Sequence, residues 1–360
     1  MARATCRGIG AVTRDELLDQ VRHGVQVQGI ECRGWDFRGL DLSGALWDNI
    51  DFTGASFQGA NLAGSVITHC RMGECDFSDA ISVKAQFYRC RFERAEFARA
   101  ALEDASFVES HLQQADLSGA QLDRATFFRS DLTQALFAAV RMDRATVAES
   151  KLVQADFTGA VLSFVTMYKL NLATAVFTGM QADSVVFLEC ELARQVFAGQ
   201  TLQRCQFTDS TLDGADFRNA TLTQSNFKGA SLRNADFSGA EAAQTIFAEA
   251  DLGDANCAGG RFEQSIWVDA KLQRTSFEDA FLPLSVFHRA RANGAAFRRA
   301  NLQDADFSYA DLGSADMSGA HFLRTRFHRT NEQGARFSAR GGIIENDPEL
   351  YKAQAWSDSA

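Results

Sequence analysis

Residues 215–239 read ADFRN-ATLTQ-SNFKG-ASLRN-ADFSG. Cut by fives, the third position is Phe217, Leu222, Phe227, Leu232 and Phe237, and the first is Ala215, Ala220, Ser225, Ala230 and Ala235. The same frame runs outward in both directions. From Cys32 to Phe337 there are 62 positions ending in 2 or 7, of which 27 are Phe and 20 are Leu. Two residues before each lies a small class, from Ile30 to Ala335, holding 33 Ala and 18 other residues no larger than Thr. The frame never slips. A period of five fits neither the 3.6 of an amphipathic helix nor the alternation of a strand. It fits a chain that turns a corner at every unit, with the large residue and the small one before it pointing inward and three residues pointing out.

Composition agrees with one long repeat. The chain has 360 residues, 30 Phe against 4 Tyr, and two Pro, Pro283 and Pro348. Hydrophobic residues at 46% and charged residues at 23% exclude bulk disorder. A net charge of -10 excludes an electrostatic nucleic-acid surface. No apolar run is long enough to cross a membrane. The start, MARATCRGIGAVTRDE, lacks the apolar stretch of a secretory signal, so a cytoplasmic chain is expected.

With units such as Ala215-Asp216-Phe217-Arg218-Asn219 and Ala310-Asp311-Leu312-Gly313-Ser314, the chain resembles the pentapeptide repeat family, whose consensus is A(D/N)LXX. The resemblance implies an all-β solenoid, a right-handed quadrilateral parallel β-helix with four units per coil. Sixty-two units then make about 15 coils, a rod of about 70 Å at roughly 4.8 Å per coil. The expected organisation is an N-terminal segment with a capping helix at 1–29, the β-helix at 30–337, and a C-terminal tail with a short helix at 338–360. Phe dominates positions ending in 7 and Leu those ending in 2, so each Phe is expected to stack on the residue 20 places away, as in Phe177, Phe197, Phe217 and Phe237.

Irregularities mark local repacking. Ser82, Ala182, Ala242 and Ala292 replace the large residue, and Val165, Leu170, Met180 and Val185 replace the small one. Ala182 beside Met180 reads as volume exchanged rather than lost. Gln195 and Gln200 stand at inward positions, where a buried amide needs backbone partners. Glu332, inward by phase, predicts that the regular core is ending.

Solenoid ends need covers. Thr13-Arg14-Asp15-Glu16 reads as a capping box and predicts a helix over about 14–23, stopped by Gly24 and covering the first coil. Ile30, Trp35, Leu40 and Ile50 predict a wider first layer. Asp347-Pro348-Glu349 reads as a second helix start. Leu350, Tyr351 and Trp356 follow, as a cap or, by resemblance to gyrase-binding family members, as a homodimer contact.

Catalytic and metal constellations are missing from the sequence. Seven of eight Cys fall at inward positions (Cys32, Cys70, Cys75, Cys90, Cys190, Cys205 and Cys257) and read as small hydrophobes with reduced thiols. His69, His111, His288, His321 and His328 fall at outward positions and read as solvated. There is no GxSxG, no P-loop, no GxGxxG before a helix and no zinc spacing. A non-enzymatic chain without cofactor is expected.

The outward residues distinguish the faces. The Phe37 face carries 11 acids against 6 bases. Most are the residue before the large one: Asp36, Asp76, Glu96, Asp116, Asp156, Asp216, Asp236 and Asp316. Family members that inhibit or protect DNA gyrase are thought to mimic DNA with such a rod. Duplex DNA, however, carries about 40 charges over 70 Å. On the Trp47 face the column Arg89, Glu109, Arg129, Glu149, Lys169, Glu189 alternates in sign. Beside it runs an apolar stripe of Tyr88, Val108, Phe128, Ala148, Tyr168 and Leu188, with Phe164, Val176, Val186 and Val196 nearby. Phe281, Pro283 and Leu284 form a second outward cluster. A contiguous apolar patch marks an interface where scattered apolar residues do not.

The reading is therefore a rigid scaffold whose partner is another protein, with neither nucleic acid nor membrane bound directly. The lead-in TRDELLDQVRHG…GIECRGWDFRGLDLSGA is similar to that of pentapeptide modules associated with bacterial type VI secretion, which implies an adaptor that accompanies a spike or loads an effector, with the partner held on the 81–200 surface. The alternative is a gyrase-binding DNA mimic.

Overall fold

The structure, a computed structural model, describes residues 12–346 and 348–357. The chain divides into two compact units at Val140 and Arg141. Each is a four-sided parallel β-helix that turns at every fifth residue and pairs each residue with the one 20 places on.

In the first unit one face is built of true strands: Val27–Gln28, Leu46–Asp48, Val66–Thr68, Gln86–Tyr88, Ser106–Val108 and Thr126–Phe128. They pair in parallel register, Phe87 opposite Phe107 and Phe107 opposite Phe127. The other faces are held by single bridges such as Asp51↔Arg71, Ser56↔Asp76 and Asn61↔Ile81. The corners need a left-handed residue. Gly54 takes it at φ 69°, and Arg99 accepts it at φ 58°. Where glycine is not used the corner is mostly Asn, Asp, Arg, Gln or Glu, whose side chains can project into solvent.

The core follows the period. Phe37, Phe57, Phe77 and Phe97 stack at 4.9, 4.8 and 4.7 Å, with ring planes within 9° of parallel. The rings of adjacent faces meet edge to face, Phe87 and Phe92 at 5.2 Å. Helix α1 (Arg14–Arg22) has the predicted capping box and buries Leu17 and Val21. Trp35, Ile30 and Leu40 are half-buried, as the wider first layer requires.

One expectation is corrected here. Cys70 and Cys90 are not merely small hydrophobes. On most faces the N–H of the small inward residue bonds the carbonyl three residues back, as Ala55 does to Phe52 at 2.8 Å. On the strand face the chain is too extended for that bond, and the next coil supplies the acceptor. Ile50 N–H donates to Cys70 Sγ at 3.3 Å, Cys90 N–H to Ser110 Oγ at 3.2 Å, and Ser110 N–H to Ser130 Oγ at 3.1 Å. Each thiol or hydroxyl passes its own hydrogen to a carbonyl, Cys90 to Ile67 and Ser110 to Val108. A buried N–H left unpaired would cost free energy, so at 70, 110 and 130 a thiol or hydroxyl does what Ala could not. The column 70, 90, 110, 130 carried that signal.

The second unit carries strands on two faces. Thr146–Ala148, Thr166–Tyr168 and Val186–Leu188 form one; Arg141–Asp143, Val161–Ser163, Gln181–Asp183 and Thr201–Gln203 form the other. The relay recurs where Cys190 N–H donates to Ser210 Oγ at 3.0 Å and Cys205 N–H to Ser225 Oγ at 3.1 Å. The ladder Phe197, Phe217, Phe237 stacks at 5.2 and 4.7 Å. Met180 and Ala182 are both buried. Gln195 donates to the carbonyls of Leu172 at 2.6 Å and Ala175 at 2.8 Å, and Gln200 to that of Val196 at 3.2 Å, the backbone partners their positions demand. Pairing continues past Phe337: Thr325–Arg326 pairs with Ile343–Ile344, only 18 residues on. Glu332 is half-buried and ion-paired with Arg340 at 2.7 Å.

Helix α2 (Pro348–Ser357) ends the described chain. It lies on the flank, against outward residues of the last coils. Gln354 bonds both His328, at 3.1 Å, and the hydroxyl of Tyr309. Tyr351 meets His328 edge to face at 6.3 Å and lies under Arg329. His328 is therefore 2% exposed rather than solvated. The phase placed it outward correctly, but it could not show that a helix returns over it.

Candidate functional surface

The aromatic members of the apolar stripe sit under cations. In the first unit Tyr88, Val108 and Phe128 stand in one column, each opposite the next across the strands, and all are half-buried. Arg89 lies 4.7 Å over the Tyr88 ring and bonds Glu109 at 2.7 Å; Arg129 lies 4.7 Å over Phe128. In the second unit Tyr168 and Leu188 share a column, Lys169 covers Tyr168 at 4.9 Å, and Lys169 pairs with Glu189 at 3.5 Å. The stripe has a two-coil rhythm: an aromatic residue with a cation, then a smaller apolar residue with an acid. Glu109 and Glu189, each one coil away, hold Arg89 and Lys169 over their rings.

Phe164 and Leu284 stand out further. Both occupy corner positions, at φ 54° and 60°, where a bulky residue is conformationally costly. They are 52% and 51% exposed. Arg144 lies over Phe164 at 5.3 Å, and Arg261 over the half-buried Phe281 at 4.5 Å. The structure also shows a ladder that sequence reading passed over. Ile246, Ile266 and Val286 pair successively on the outside of one face of the second unit, beside Val268.

The acidic residues have local work. Asp76, Asp116, Asp156 and Asp236 accept the N–H two residues on at 2.8–2.9 Å, closing the corner that follows. Asp36 and Asp216 do the same for Arg38 and Arg218 at 3.0 Å. The Arg38 and Arg218 guanidiniums hold these two carboxyls below the usual range. Asp316 accepts from Ser318 N–H and is lowered first by the Ser318 hydroxyl, then by that N–H, with Arg336 and Arg298 adding to it. Glu96, longer by one carbon, is exposed.

The corners carry an ion-pair code that sequence reading missed. An Asp on one coil takes an Arg from the same corner 20 residues on through two bonds: Asp79–Arg99, Asp104–Arg124, Asp254–Arg274, Asp269–Arg289, Asp279–Arg299 and Asp304–Arg324. The 20-residue Asp-to-Arg spacing was the available signal.

The core thiols are unreactive by environment. Burial pushes Cys32, Cys75, Cys90 and Cys205 up to about 12 and Cys190 to about 11. Among the described residues no three His, Cys, Asp or Glu side chains come together as a metal site, and no helix is long and apolar enough to cross a membrane. Leu350, Tyr351 and Trp356 of α2 are 43%, 49% and 76% exposed.

Comparison with known proteins finds the same repeat. The model for pentapeptide repeats (eight copies) matches residues 36–73, 56–94, 70–107, 95–134, 141–179, 268–304 and 305–339, and that for a pentapeptide repeat region matches 183–257. The chain belongs to the pentapeptide repeat family. No curated protein matches this pentapeptide repeat chain. Among solved structures it is similar to HetL, a pentapeptide repeat protein involved in heterocyst differentiation regulation from Nostoc sp. strain PCC 7120, at 21% identity over 79% of this chain and 96% of that one, TM-score 0.21. A pentapeptide repeat protein of the Arabidopsis thaliana thylakoid lumen matches at 29% identity over 32% and 69%, TM-score 0.22. QnrB1, a plasmid-mediated fluoroquinolone resistance protein, matches at 13% identity over 72% and 97%, TM-score 0.18. Family membership rests on the matched repeats.

Proposed function

We propose that this pentapeptide repeat scaffold is non-enzymatic and works by holding another protein on its apolar face. The carrying observation is the placement of Phe164 and Leu284. Each sets a large apolar side chain in solvent at a corner where the backbone favours Gly, on the same side as the outward aromatic and aliphatic columns. Exposed apolar residues at such costly positions are what a covering partner protein would account for. The lead-in supports a finer reading, an adaptor accompanying a spike or effector of type VI secretion. The test is Phe128→Glu with Tyr168→Glu. Melting should be nearly unchanged, and partner capture in pull-downs should be lost; an unchanged set of captured proteins counts against the scaffold.

The gyrase-binding alternative draws on the acidic face, but most of its carboxylates are engaged in closing corners. Inhibition of supercoiling at micromolar protein would favour that alternative, and no effect at high concentration would sink it.

A further inference from the structure

The second unit already uses its apolar-laddered face to seat a helix. Tyr351 of α2 packs on His328, and Gln354, three residues on, bonds His328 and also Tyr309, one coil nearer the body of the unit. Three helical residues rise about 4.5 Å, and one coil of a β-helix rises about 4.8 Å. A helix lying along the coil axis therefore sets one side chain per turn over one rung per coil. The match is geometric and holds for any helix laid on this face.

Beyond α2 the rungs change character. On this face the outward column at 20-residue spacing reads Gln206 and Asn226, then Ile246, Ile266 and Val286, then Asp306 and Arg326. Val268 stands beside Ile266, and His288, the rung after it, meets Tyr309 edge to face at 5.1 Å. The apolar rungs thus continue directly from the seat of α2. Leu284 stands at the corner bordering them, half out in solvent. The flanking charges are already compensated within the chain: Lys228–Glu249 at 3.4 Å, Arg289–Asp269 at 2.7 Å and Arg261–Glu263 at 3.2 Å. The surface therefore presents apolar shape rather than uncompensated charge.

We propose that Ile246, Ile266, Val286, Val268 and Leu284 seat an amphipathic α-helix of a partner protein, laid along the coil axis in line with α2. Its anchors fall at i, i+3 or i+4, and i+7, one on each of the three rungs. The proposal rests on the scaffold reading and names the kind of partner that reading calls for.

The test places the photo-crosslinker p-benzoylphenylalanine at Ile266 of the full chain, expressed in its native cells, and sequences the crosslinked peptides. The expected result is one protein, crosslinked through a segment with apolar residues at i, i+3 or i+4, and i+7. Val286→Lys, an outward change that leaves melting unaltered, should cut the yield at least tenfold. Crosslinks to an extended segment or to a second copy of this chain would overturn the proposal, and so would a yield no higher than from the opposite face at Ser276. Crosslinks from the Phe128 position with none from Ile266 would overturn the helix seat and leave the scaffold standing. Crosslinks from neither would overturn both.

Discussion

Two faces of the same coils in the first unit close their corners differently. On the Leu42 face Ala105 N–H bonds Leu102 O at 3.0 Å, and the turn is complete within the unit. On the Trp47 face Ser110 N–H has to reach Ser130 Oγ at 3.1 Å, in the next coil. The first closure is local and asks only for a small side chain. The second is made between coils and asks for a hydroxyl or thiol. The Trp47 face trades local closure for a longer strand, and that strand carries the outward column of Tyr88, Val108 and Phe128.

The core shared by both faces comes first in magnitude. Phe217→Asp would bury an unpaired charge between Phe197 and Phe237. It should abolish cooperative melting across several coils, since even truncating a buried Phe costs about 3–5 kcal/mol and an uncompensated charge costs more. A variant that melts like the parent would show that the ladders do not hold the coils together. Next is the contrast itself. Ser110→Ala leaves Cys90 N–H without its acceptor and should cost about 1–3 kcal/mol, read as faster exchange of the Cys90 amide. Ala125→Ser, the stacked position on the other face, should leave Ala105 exchange unchanged, because that N–H is already satisfied by Leu102. Equal responses would erase the distinction. The smallest effect concerns acid. Asp216 has its folded pKa lowered by Arg218, so its contribution is present above about pH 4 and is lost as pH falls through the folded value. Arg218→Ala should lower the melting midpoint at pH 7 by about 1–2 °C and by less at pH 2. A shift of equal size at both pH values would assign the effect to lost packing instead.

The period made most of the fold readable. Every large inward position from Cys32 to Phe327 is buried, the α1 box is where Thr13 and Glu16 put it, and the Gln195 and Gln200 amides found backbone. What stayed hidden depends on neighbours 20 residues apart or on chain that folds back. The Asp79–Arg99 pairs need both corners to point the same way, which the repeat implies only after the coil is built. The Cys/Ser relay needs the knowledge that one face is extended. His328 needed α2 above it. The apolar stripe was legible as a column, but not its cation lids, because a ring and the Arg beside it in sequence read as separate residues until their geometry is known. Ile246, Ile266 and Val286 stand at 20-residue spacing, but a short β-branched column is also what strand propensity alone places on an outward position, so the sequence does not set it apart.

The cross-coil pairing at 20-residue intervals also has a mechanical consequence. Each coil advances only about 4.8 Å yet contains 20 residues of contour, about 66–72 Å when drawn straight. Pulled at one end, such a unit should surrender its length in discrete instalments of about 60 Å, each released by breaking one ring of bonds while the coils behind it stay wound. A partner held on the flank would feel a spool that pays out by single turns, stiff until the end coil yields and then abruptly slack.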